Sequence, residues 1–238
     1  MKALLYTALV LLVGNAYSQN CNEYIHFRKG ASFEMETYDA KGTKLNKIES
    51  TVKEVGTSAG NTEAVIHTVT YDKANVKENE GDFKAFCLTD KIMFDISSLL
   101  KSDKMGGADN NMEIKVESGY LEITKDLAIG QTIPDNQIKI KMSEKKSGNA
   151  FGVTNITIQD KKVEAKETIS TPAGAYSCYK ITFNSKIEVK LAMNNMTMPA
   201  QIYPGVYYIS KEVGLVKAVN HDNKKAVRSY TLLTQVKK

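Results

Sequence analysis

From Ser32 onward the chain is patterned with period two. Phe33, Met35 and Thr37 alternate with Ser32, Glu34 and Glu36, so one side of an extended segment is mostly apolar and the other polar. Side chains of a strand point to opposite faces in turn, whereas a helix returns to one face every three or four residues. The pattern therefore specifies a half-buried antiparallel strand. Tyr38-Asp39-Ala40-Lys41-Gly42 follows as turn chemistry, with Gly42 free to take a positive φ, and Ile48, Ser50 and Val52 read as the return strand.

The same grammar continues. Residues 62–71, then Phe83, Ala85 and Cys87, are two further strands, and 91–95 extends the sheet. Ile96-Ser97-Ser98-Leu99-Leu100 has the spacing of a short helix capped by Asp95, and residues 101–111, with Gly106-Gly107 at their centre, read as an exposed loop. Strands resume at 112–116, 120–123, 137–142, 152–158 and 163–169, with Pro134, Gly148 and Asp160 marking breaks. A long strand over 176–191, with a bend or bulge at Asn184-Ser185, precedes strands at 202–209, 214–219 and 226–236; the last two are joined by the hairpin loop Asn220-His221-Asp222-Asn223. The expectation is an all-β fold: a single curved antiparallel sheet or incomplete β-barrel with one short helix, in one domain over 19–238.

Residues 1–18 read as a cleavable signal peptide. Met1-Lys2 is a basic start, 3–13 is an apolar run too short for a membrane helix, and Ala16-Tyr17-Ser18 supplies the small residues of a cleavage site. Cys21 as a lipid-modified cysteine is disfavoured because Asn20 precedes it. No later segment has the length and apolarity of a membrane span, so the expected location is exported, periplasmic or secreted. Export permits disulfides, but Cys21, Cys87 and Cys178 are an odd set and their spacing does not choose a pair.

A net charge of +5 is spread among acidic neighbours, and basic runs never exceed pairs such as Lys145-Lys146, Lys161-Lys162 and Lys224-Lys225. That reads as solvated surface and argues against nucleic acid. The chain has no GxSxG elbow, HExxH helix, phosphate-binding loop or dinucleotide fingerprint. Glu34/Glu36 or Glu164/Glu167 could in principle do acid/base work, but Glu34/Glu36 alternates with apolar residues as a solvent-facing strand edge should and a structural role is favoured, while His26, His67 and His221 are too scattered for a zinc site. No catalytic residue, cofactor or metal is expected. Asn155-Ile156-Thr157 and Asn195-Met196-Thr197 match the glycosylation triplet, relevant only in a eukaryotic host, and Met193, Met196 and Met198 could line a soft groove but read first as packing.

Three stretches resemble the TapB family of exported proteins from Gram-negative bacteria, a family largely without assigned function. They are Tyr38-Asp39-Ala40-Lys41-Gly42, Ser170-Thr171-Pro172-Ala173-Gly174-Ala175-Tyr176-Ser177-Cys178-Tyr179-Lys180-Ile181, and Val213-Gly214-Leu215-Val216-Lys217. The resemblance implies a curved sheet similar to that of the lipoprotein carriers LolA and LolB, and no reaction centre. The expected role is non-enzymatic binding in the periplasm or cell envelope. The expected partner is an apolar or lipid-like small molecule held against an inner face that includes Phe33, Met35, Ile181 and Phe183; the rival is a structural module whose partner is an envelope protein.

Overall fold

The computed structural model describes Cys21 and residues 24–58, 60–95, 112–144, 146–192 and 196–238. The alternating segments form β1 (Ser32–Asp39), β2 (Lys44–Ser58), β3 (Asn61–Asp72), β4 (Lys77–Cys87), β5 (Lys91–Asp95), β6 (Met112–Ser118), β7 (Leu121–Thr124), β8 (Thr132–Ile133), β9 (Asn136–Glu144), β10 (Ala150–Thr171), β11 (Gly174–Leu191), β12 (Gln201–Ser210), β13 (Gly214–His221) and β14 (Val227–Lys237). They make one sheet in the order β6-β9-β10-β11-β12-β13-β14-β1-β2-β3-β4-β5-β7, with β8 paired to β10. Every pairing is antiparallel, and β14 against β1 joins the end of the chain to its beginning, from Ser32 opposite Lys237 to Asp39 opposite Ser229.

The two ends of that path, β6 and β7, are separated in sequence only by Gly119 and Tyr120. The three steps from Ser118 to Leu121 span at most about 10–11 Å, so the sheet must bend until these strand ends approach, yet no ladder between β6 and β7 closes it. The result is an open, strongly curved sheet with a seam. Gly119 makes the passage feasible: its φ is +128°, and a Cβ there would stand 2.8 Å from both Gln137 O and Ile138 Cα.

Three hairpins share one turn chemistry. Asp39, Asp72 and Asp222 each accept hydrogen bonds from the backbone N–H groups two and four residues on, at 2.8–2.9 Å. The residue three after each aspartate, Gly42, Asn75 or Lys225, is left-handed.

The principal core fills one end of the curve. Val52, Ile66 and Phe83 lie directly opposite one another across β2, β3 and β4, as do Ala64, Ala85 and Phe94 across β3, β4 and β5. All six are buried, and each large side chain so removed from water contributes about 1.5–3 kcal/mol. The N-terminal segment plugs this end. Ile25 and Phe27 in a 3-10 turn (Ile25–Phe27) are fully covered, Ile25 N–H donates to Glu212 O at 3.0 Å, and Cys21 is disulfide-bonded to Cys87, leaving Cys178 as a buried free thiol. A second cluster, Leu127, Ile133, Val163, Ile181 and Ile209, lies nearer the seam.

The all-β sheet is as expected, and the differences are local. Among the described residues the helical element is the turn at Ile25–Phe27, while the helix expected at 96–100, the loop at 101–111 and the leader at 1–18 lie outside them. Asp160 is no strand break: β10 runs through it for 22 residues, and the ladder to β11 skips from Gln159 to Lys162. The irregularity expected at Asn184-Ser185 falls on this facing strand instead, since β11 keeps an unbroken register with β12 from Tyr179 to Ile187. Asn184 marks the place by donating from Nδ2 to the Asp160 carboxylate at 3.0 Å.

Candidate functional site

The bulge at Asp160 changes which side chains of β10 face inward. Ile158 and Val163 are both buried although they are five residues apart, an odd spacing that an unbroken strand would place on opposite faces. Asp160, at φ +56°, takes up the extra residue, and Lys161 turns inside, only 6 % exposed. The sequence reading of Lys161-Lys162 as a solvated pair is thus corrected: Lys162 stays on the surface beside Glu164, and Lys161 is interior because the bulge shifts the alternation by one. β8 lies over this point, pairing Ile133 with Lys161.

Lys161 lines a partly open cavity of about 200 Å³ at the seam. The seam strand β7 contributes Leu121, Glu122, Ile123 and Thr124, and the facing side contributes Ile133, Asn136, Ile158 and Lys161. Ile181, Tyr207, Ile209 and Leu215 make the apolar floor, and His26 and Phe94 enter from the plugged end. Two polar pairs stand in or beside this lining: Lys161 Nζ donates to Asn136 Oδ1, and Glu122 is bound by Lys91 at 3.0 Å. Burial pushes the Lys161 ammonium below its ordinary pKa, and the nearby Glu122 and Asp135 charges pull it back up.

His26 is buried, with its ring edge-on to Phe33 and Phe94, 5.0 Å from each. Desolvation lowers its pKa to about 4, and its Nδ1 has no hydrogen-bond partner among the described residues.

A second, more open cavity of about 370 Å³ lies beyond the first, lined by Phe183, Ile187, Tyr203, Pro204, His221 and Arg228 among others. Phe183 stacks on Tyr207, which lines the first cavity. Phe183 lies flat over Gly205, directly opposite it on β12, where any Cβ would overlap the ring.

Of the inner-face residues expected from sequence, Ile181 lines the seam cavity and Phe183 the second one. Phe33 and Met35 pack against the principal core. Glu34 and Glu36 pair with Lys47 and Lys44, and His67 with Asp82 at 2.7 Å, all on β1–β4. Met196 and Met198 are exposed and line neither cavity, and Met193 lies outside the described residues. Nothing in the sequence pattern marks Asn136, Lys161 or Glu122 as site residues. Among the described residues no group of three or more His, Cys, Asp or Glu could hold a metal, and no helix is long and apolar enough to cross a membrane.

Fold and cavity define a class: a β-protein of one bent sheet that wraps round an interior without closing it. The chain belongs to the DUF3108-like family, whose model matches residues 28–233. Two solved structures share the fold. One, from Parabacteroides distasonis ATCC 8503 and named as a presumed lipoprotein, is 22 % identical with a TM-score of 0.66, over 90 % of this chain and 98 % of that one. The other, from Bacteroides fragilis NCTC 9343 and named as a presumed exported protein with YmcC-like fold, is 19 % identical with a TM-score of 0.66, over 90 % and 99 %. No curated protein matches the sequence.

Proposed function

We propose that this chain is a non-enzymatic exported protein of the cell envelope, periplasmic or secreted, that holds a small apolar or lipid-like molecule in the seam cavity. The observation that carries the reading is the cavity itself: an apolar pocket inside the curve, open at the seam, with polar groups gathered at one place in its wall. Binding sites typically combine apolar lining with a few fixed polar groups in this way. At about 200 Å³ the cavity lies below the range of drug-sized sites and suits a small molecule or one end of a longer chain.

Export is supported by the leader-like residues 1–18 and by the Cys21–Cys87 disulfide, which belongs in an oxidising compartment. The names of the two similar structures point the same way. The engagement of Cys21 in a disulfide argues against its being a lipid attachment point here. The likeness to the TapB family and to the carriers LolA and LolB is part of the same proposal.

Native mass spectrometry tests it, on protein purified from its host and on refolded protein exposed to a total lipid extract. The expected result is a retained non-covalent mass that is lost in Leu121→Trp, which fills the cavity from β7. Bare protein in both preparations would overturn the reading in favour of an envelope interaction module whose partner is another protein.

A further inference from the structure

Lys161 is a cation set into the wall of an apolar cavity without a carboxylate of its own. Its Nζ donates to the neutral Asn136 Oδ1, and no ion pair to it is formed among the described residues. The charges that act on it are Glu122 and Asp135, which favour the ammonium, and Lys91, which opposes it; Glu122 is already engaged by Lys91 at 3.0 Å. An ammonium taken out of water is costly unless a counter-charge or good acceptors replace its hydration. Asn136 has one polar group to spare as well, since its NH₂ donates to none of the described residues. A cation and a neighbouring amide donor, both bordering apolar space, complement an anionic head attached to an apolar chain.

We infer that the seam cavity takes a short-chain amphiphile bearing one carboxylate, its head on Lys161 Nζ and the Asn136 NH₂ and its chain among Leu121, Ile123, Ile158, Ile181 and Ile209. This rests on the ligand-binding reading above and adds the class of ligand. One cation and one amide suit a monoanion; a phosphate dianion would call for a second cation. The volume sets the chain length: a cavity of roughly 150 Å³ holds benzene, so one of this size accommodates about eight carbon atoms.

Titration calorimetry on the intact protein compares octanoate, octanol and octyl phosphate. Octanoate is expected to bind roughly tenfold to a hundredfold tighter than octanol, the worth of a charge-assisted hydrogen-bond pair. Lys161→Met is expected to bring octanoate down to the affinity of octanol, and Lys161→Arg to keep most of the difference. If Lys161→Met does not fold, the acid-to-alcohol ratio in the unaltered protein still decides. Equal binding of octanoate and octanol would overturn the carboxylate assignment while leaving an apolar site intact, and tighter binding of octyl phosphate would overturn the choice of head group. Binding of none of the three would overturn the ligand-binding reading itself.

Discussion

The rings of Phe183 and Tyr207 stack with their centroids 4.2 Å apart, Tyr207 lining the seam cavity and Phe183 the second one. Phe183 is 6 % exposed and lies directly against the backbone of Gly205, so its removal leaves a void that the strand cannot fill. Phe183→Ala is expected to destabilise the protein by about 3–5 kcal/mol, read from denaturant unfolding, and to merge the cavities. Tetradecanoate would then bind more tightly to the variant than to the parent. An unchanged preference for short chains would show that the rings do not separate the two spaces.

Lys225 adopts φ +67° at the position that Gly42 occupies in the β1–β2 turn. A side chain in the left-handed region costs roughly 1–2 kcal/mol, and glycine relieves it at some expense in chain entropy. Lys225→Gly should therefore raise stability by about 0.5–1 kcal/mol, and Gly42→Ala should lower it by a similar amount. Thermal melts of the pair check the sign of each.

How much of this was legible in the sequence follows from where the alternation holds. Phe33, Met35, Val52 and Phe83 sit in stretches where the alternation holds, since the β2 bulge comes only after Val52 and the β4 bulge well before Phe83, so period two identifies them and the turns between them. Lys161 could not be read that way. An aspartate followed by two lysines looks like a surface break, and only the ladder to β11, which skips from Gln159 to Lys162, shows that Asp160 is a bulge that sends Lys161 inward. The seam was hidden for a different reason: two edge strands at opposite ends of a sheet can be neighbours in sequence, and short-range pattern carries no information about which strands stay unpaired.

His26 gives the fold a specific acid sensitivity. Burial lowers its pKa from 6.5 to about 4, so the unfolded chain takes up a proton at a pH where the folded protein does not. Above pH 6.5 the residue is neutral in both states and contributes no pH dependence. Between about 6.5 and 4 stability falls as pH falls, by a total of about 3 kcal/mol. His26→Leu should flatten unfolding free energy across that window, while the loss from the salt-bridged carboxylates Glu80 and Asp82, whose pKa values are lowered, remains at still lower pH. A wild-type slope that persists in the variant would place the sensitivity elsewhere.

The thiols offer a direct count. Denatured, unreduced protein should take up one alkyl group, on Cys178, and three after reduction. Closing a loop over a separation of 66 residues is worth about 4 kcal/mol in chain entropy, and Cys21→Ser should lose roughly 2–4 kcal/mol of it. Alkylation at Cys21 or Cys87 without reductant would contradict the pairing.

Methyl NMR of isoleucine-labelled protein during an octanoate titration tests the account most directly. The cavity at the seam predicts saturable shifts at Ile123, Ile133, Ile158, Ile181 and Ile209, with Ile66 in the principal core and Ile202 on the exposed face unmoved. Shifts centred on Ile187 in the second cavity, or no saturable shift at any isoleucine, would contradict it.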